Sequence, residues 1–171
     1  MSGKVLAYSG DGEGKTSAAL GHVLRALGHE KRCLVIFFMK GRQTGETKIL
    51  RRIVGVLSVL AGSPEFDFKN KGVKNKHFHK TQVALNLVKN SLKAKHYDLI
   101  VLDEIFNCLK YGLVSEKELI GLLKNRGSSH VILTGRNLPK SFEKHCDLIS
   151  IIKNKKHYFD KDRKTYAVLE C

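Results

Sequence analysis

Six short apolar runs punctuate this chain: Val5 to Tyr8, Cys33 to Met39, Val54 to Leu60, Leu99 to Leu102, Val131 to Leu133 and Leu148 to Ile152. Helical or polar stretches separate them. Runs that are apolar at nearly every position suit strands covered on both faces, as in a parallel sheet flanked by helices. The alternation therefore predicts an α/β fold, a doubly wound and mostly parallel sheet with helices on both faces. With 171 residues the chain is expected to form one domain, 1–171, large enough to bury about 70% of its unfolded surface.

The helices have their own signatures. One is expected over residues 15 to 27, closed by Gly28. A second spans residues 78 to 95, where Ala84, Leu87, Val88 and Leu92 form an apolar stripe, and a third follows the capping pair Ser115 and Glu118. Residues 62 to 76 read as the longest irregular stretch, of the kind that often carries function.

The first apolar run leads into Ser9-Gly-Asp-Gly-Glu-Gly-Lys-Thr-Ser17 and then into the first helix. A glycine-spaced loop between a strand and a helix can turn its N–H groups onto an anion. Lys15 adds a mobile positive charge and Thr16 offers a hydroxyl to Mg²⁺. This is a phosphate-binding loop in a RecA-like context, although Ser9 stands where the usual pattern has glycine. It assigns ATP contacts to Ser9, Gly10, Asp11, Gly12, Glu13, Gly14, Lys15, Thr16 and Ser17.

Asp98-Leu-Ile-Val-Leu-Asp-Glu104 ends a buried strand in two acids, at the sheet edge where ligands of open α/β sheets gather. Mg²⁺ favours hard oxygens and keeps several waters, so Thr16, Asp103 and Glu104 are candidate ligands. Taken alone, the two acids read equally well as a solvated strand end. Lys40 and Arg136 follow two other strands and are candidate phosphate contacts, with a solvent-facing side chain as the alternative for Lys40.

The chain carries 31 Lys and Arg against 16 Asp and Glu, a net charge of +15 that attracts any polyanion. Lys69, Lys71, Lys74, Lys76 and Lys80 form a run without an acid, read as either a solvated loop or an anion site. Cysteines at 33, 108, 146 and 171 share no metal or redox spacing and suggest free thiols in a reducing cytoplasm. His77 and His79 lie close together, but without cysteine or carboxylate neighbours they give little support to a zinc site. No leader peptide, membrane span or hydrolase elbow is evident.

Ser9 to Gly21, Phe37-Phe-Met-Lys-Gly41, Asp98 to Glu104, Leu133-Thr-Gly-Arg136 and Lys156-His-Tyr-Phe-Asp160 occur in an order that resembles the phosphate-loop ATP:corrinoid adenosyltransferases. In that family a hydroxyl residue is usual at the position of Ser9. The resemblance implies transfer of the 5′-deoxyadenosyl group of ATP to the Co(I) of a reduced corrinoid, cob(I)alamin or cob(I)yrinic acid a,c-diamide, with triphosphate released. It implies catalytic roles for Lys15 and Glu104, Mg²⁺ on Thr16 and Glu104, a flavoprotein reductant and a homodimer. Glu13 departs from the family's frequent lysine, and Lys164 to Glu170 departs from its usual ending. The family's Gly-Phe-Thr-Trp stretch falls at Gly72-Val73-Lys74-Asn75 in a chain without tryptophan, leaving Phe66, Phe68 or Phe78 as its aromatic substitutes. A nucleic-acid-responsive ATPase, marked by salt-sensitive binding, and a nucleoside kinase, marked by diphosphate release, remain open alternatives.

Overall fold

A computed structural model describes residues 2–157. Its strands are β1 (Val5–Ser9), β2 (Cys33–Phe38), β3 (Val56–Ala61), β4 (Leu99–Asp103), β5 (His130–Gly135) and β6 (Leu148–Ile151). The helices are α1 (Lys15–Gly28), α2 (Gly45–Leu50), α3 (Lys71–Lys93), α4 (Ile105–Lys110), α5 (Glu116–Lys124) and α6 (Lys140–Glu143). All strand pairs are parallel, in the order β3-β2-β4-β5-β1-β6.

The pleat of β2 shows why its run is apolar throughout. Leu34, Ile36 and Phe38 join a core with Leu85, Val88, Phe106, Leu119 and Phe142, residues of α3 to α6. Cys33, Val35 and Phe37 join the opposite core with Ala19 and Val23 of α1 and Leu50 of α2. Adjacent residues thus enter different cores, and a polar side chain at any β2 position would be buried.

Two elements differ from their sequence expectation. β3 starts at Val56, because Gly55 has φ +90° and Val54 lies in the preceding turn, 94% exposed. α3 starts at Lys71 rather than near Phe78, which shortens the irregular stretch. Asn70 caps it, its side-chain oxygen accepting the N–H groups of Gly72 (2.9 Å) and Val73 (3.3 Å). Val73, His77, Thr81, Ala84, Leu85 and Val88 supply the buried stripe, while the lysines between them face outward. The lysine run is therefore mostly helix surface rather than loop. His29 takes the C-cap position of α1, with Gly28 the last helical residue. At α5 the expected cap is present, Ser115 Oγ accepting the Glu118 N–H at 3.2 Å. The Glu118 carboxylate meets Lys89 instead of returning to the cap.

Candidate functional site

β1, β5 and β4 lie side by side and deliver the site residues at one level of the sheet edge. Ser9 pairs in register with Gly135, Tyr8 with Thr134, and Leu102 with Leu133. The loop leaves β1 at Ser9, which is buried, and the Ser9 hydroxyl accepts the Leu138 N–H at 3.0 Å. A hydroxyl residue here ties the loop to the segment after β5, a bond that glycine lacks. Gly14 caps α1 at φ 99° with no atom within reach of a Cβ. The first turn of the helix presents N–H groups without intrahelical partners.

Lys15 is 7% exposed and its ammonium donates to the Gly12 carbonyl. Burial lowers its pKa, Glu104 raises it, and Arg136 lowers it further. The charges of Lys15, Glu104 and Arg136 therefore act on one another at a common edge.

Thr134 secures the end of β4. Its hydroxyl donates to Asp103 Oδ1 at 2.7 Å and accepts the Glu104 N–H at 2.8 Å, while the Thr16 hydroxyl donates to the same Asp103 oxygen at 2.9 Å. Glu104 has φ 60°, the left-handed region, which starts α4 immediately after β4. The amide of Asn107 donates to the Glu104 carboxylate. Burial pushes the Asp103 carboxyl up, against the hydrogen bonds from Thr134 and Thr16. Glu104 is pushed up by burial and by the Asp103 charge, against Lys15.

Asp103 Oδ2 is buried without a hydrogen-bond partner. A hard divalent cation would relieve that cost, and Thr16, Asp103 and Glu104 supply the oxygen donors that Mg²⁺ prefers. The described residues hold no group of three His, Cys, Asp or Glu side chains arranged for a metal. Such an ion would have to draw its other ligands from phosphate and water.

The remaining candidates divide. Arg136 is exposed and follows Gly135. Asp11 and Ser17 are exposed on the loop and on the first turn of α1, and the Asp11 charge reaches Lys15. Lys40 is committed to α2, with Nζ 2.8 Å from Glu46 and 5.1 Å from the centre of the Phe37 ring. Gly12 has a role that its motif does not announce. Its N–H donates to the Ile152 carbonyl at 2.9 Å, and a Cβ there would fall 2.8 Å from the backbone of Ile152 and Lys153. Thr134, Asn107 and the segment after β6 are partners that sequence reasoning did not assign. The threonine next to the end of β5, two residues before Arg136, was the only local signal among them.

An aromatic corner follows the ends of β3 and α4. Phe68 stacks on Tyr111 at 4.1 Å and 14°, and Phe66, 63% exposed, meets Phe68 edge-on at 5.1 Å. Buried His77 anchors the corner, its Nδ1 accepting the Ser63 N–H at 3.4 Å and its Nε2–H donating to the Glu65 carbonyl at 2.9 Å. Phe78 is half-exposed on α3.

A parallel sheet with this loop after β1 and a buried aspartate ending β4 defines a phosphate-loop nucleotide-binding protein. Family comparison narrows the class. The profile of the ATP:corrinoid adenosyltransferase BtuR/CobO/CobP family matches residues 1–170, and the chain belongs to that family. It is 30% identical over 159 residues to the corrinoid adenosyltransferase of Pseudomonas aeruginosa, covering 92% of this chain and 78% of that protein. It is likewise 30% identical over 160 residues to the corrinoid adenosyltransferase CobA of Salmonella typhimurium, covering 92% and 80%. Among the described residues, no helix is long and apolar enough to cross a membrane.

Proposed function

We propose that this chain transfers the 5′-deoxyadenosyl group of ATP to the Co(I) of a reduced corrinoid and releases triphosphate. The supporting observation is the convergence of Lys15, Thr16, Asp103 and Glu104 at one sheet edge, reached from different strands, with Thr16 bonded to Asp103 and the charges of Lys15 and Glu104 coupled.

In this reading the cobalt lone pair forms a bond to C5′, and the C5′–O bond breaks with its electron pair on triphosphate. The corrinoid cobalt is formally oxidised by two electrons. The leaving group takes no proton in the bond-breaking step, so the protein's task is to hold and neutralise a polyanion. The N–H groups at the start of α1 and the Lys15 ammonium bind the phosphates, and Lys15 exchanges the Gly12 carbonyl for a phosphate oxygen. Arg136 adds positive charge from the β5 side. Mg²⁺, held by Thr16 with Asp103 or Glu104, supplies further charge neutralisation when bound.

The corrinoid approaches from the aromatic side, where Phe66 and Phe68 take the place of the family's tryptophan-containing stretch. A flavoprotein that delivers the reducing electron, a homodimer and a cytoplasmic setting accompany this reading. Both cob(I)alamin and cob(I)yrinic acid a,c-diamide are substrates it admits.

Anaerobic incubation with ATP, Mg²⁺ and chemically reduced cobalamin tests the proposal. The expected result is the absorption spectrum of adenosylcobalamin with stoichiometric triphosphate. Diphosphate would identify a kinase, and an unchanged spectrum with bound ATP would leave a nucleotide-binding module.

A further inference from the structure

After β6 the chain runs over the phosphate loop as a short strap. The Ile152 N–H donates to the Ser9 carbonyl at 2.7 Å, and the Ile152 carbonyl receives the Gly12 N–H at 2.9 Å. Asn154 Oδ1 accepts the Glu13 N–H at 3.0 Å. His157 Nε2 lies 2.8 Å from Glu13 Oε1, with side-chain exposures of 17% and 42%. The strap thus engages two successive N–H groups of the loop and the side chain of the residue between Gly12 and Gly14.

Glu13 poses a physical problem for a loop that takes a triphosphate, because it places a carboxylate on the element that must attract a polyanion. A like charge close to the phosphates weakens binding unless it is neutralised or turned aside. The strap meets this residue at two points. Asn154 fixes the Glu13 backbone, and the His157 imidazole meets the carboxylate.

We propose that His157, acting with Asn154, is a positioning residue for the nucleotide. It holds the Glu13 carboxylate away from the phosphates, so that the N–H groups of the first turn of α1 are left to the anion. This inference rests on the reading of the loop as a triphosphate site. It assigns to the strap a function that the loop motif does not contain.

Calorimetric titration of the full chain with Mg²⁺-ATP tests it, using the wild type, His157→Ala, Glu13→Gln and the double variant. His157→Ala is expected to weaken ATP binding about tenfold, the size of a single nearby charge at intermediate dielectric. Turnover at saturating ATP should stay unchanged, so that KM moves and kcat does not. Glu13→Gln combined with His157→Ala should restore affinity to within about twofold of wild type, because the carboxylate that His157 controls is then gone. A purely structural role for His157 leaves the double variant as weak as the single one, and that result overturns the proposal. Unaltered binding by His157→Ala overturns it too. Should His157→Ala fail to fold, His157→Gln carries the same comparison. If the wild type takes up no Mg²⁺-ATP, the reading of the loop itself falls, whereas wild-type binding with an unaffected His157 variant defeats this inference alone.

Discussion

The phosphate-loop edge and the aromatic corner are built in contrasting ways. At the loop, Lys15, Asp103 and Thr134 are nearly or fully buried, and the hydroxyls of Thr16 and Thr134 both donate to one Asp103 oxygen. At the corner, Phe66 is largely exposed, and Lys69, Lys71 and Lys74 surround the start of α3 as exposed side chains. Positive charge at a helix N-terminus is unfavourable for the helix itself. A prewired edge suits a ligand whose charge is fixed and compact, while an open aromatic face suits one that is broad and flat. The contrast teaches that the two substrates of the proposed reaction would be recognised by different physics, electrostatics for one and surface burial for the other.

The largest effect that would break this division is expected at Lys15. Lys15→Ala should abolish adenosyl transfer, at least about a thousandfold, while the thermal unfolding midpoint stays near that of the wild type. Spectrophotometric assay with reduced cobalamin, paired with a melting curve, checks both halves. Normal turnover would remove the loop from the mechanism.

Asp103→Asn should reduce transfer about a hundredfold without lowering the melting temperature. Its carboxyl is pushed up by burial and one oxygen lacks a partner, so the neutral amide relieves a cost while its oxygen still accepts from Thr16 and Thr134. A marked fall in stability would mean that the aspartate serves the fold rather than the site.

Phe66→Ala sharpens the comparison from the other side. It should raise KM for the corrinoid about tenfold through lost aromatic burial and leave ATP affinity unchanged. Separate titrations of the two substrates would show whether the division holds.

The smallest effect is expected at Glu46. Burial acts to raise its pKa, but the hydrogen bond and charge of Lys40 win and hold it at about 2. A depressed carboxylate stabilises the fold above its unfolded value, near 4.5, and loses that contribution as pH falls towards 2. Glu46→Gln should therefore be modestly less stable than the wild type at neutral pH, and acid-unfolding curves should show that gap closing as the pH falls from 4.5 towards 2.

What the sequence revealed follows the same division. β2 and β4 were legible because a strand buried on both faces must be apolar throughout, and the loop was legible because its chemistry is local in sequence. The start of α3 was hidden by Gly72 and its lysines, which read as a loop although Val73 and His77 already carry the buried stripe. Lys40 illustrates another limit. Its position after β2 was clear, but its engagement by Glu46 depends on the short helix α2, whose six residues carry too little periodicity to announce it. The bonds from Thr134 to Asp103 and from Asn154 to Glu13 join residues 31 and 141 positions apart, a kind of information that no local pattern contains.

β5 lies between β1 and β4, so the strands that carry the loop and the acids are two strand spacings apart, about 9.5 Å. The distance is ruled by backbone hydrogen bonding and not by the connections that lead to it. Lengthening or shortening the surface segments between these strands would leave the gauge of the site intact, whereas a register slip of β5 would carry Thr134 out of line and release its hold on Asp103 and Glu104. The middle strand thus serves as a spacer whose penultimate residue fastens the acids beside it.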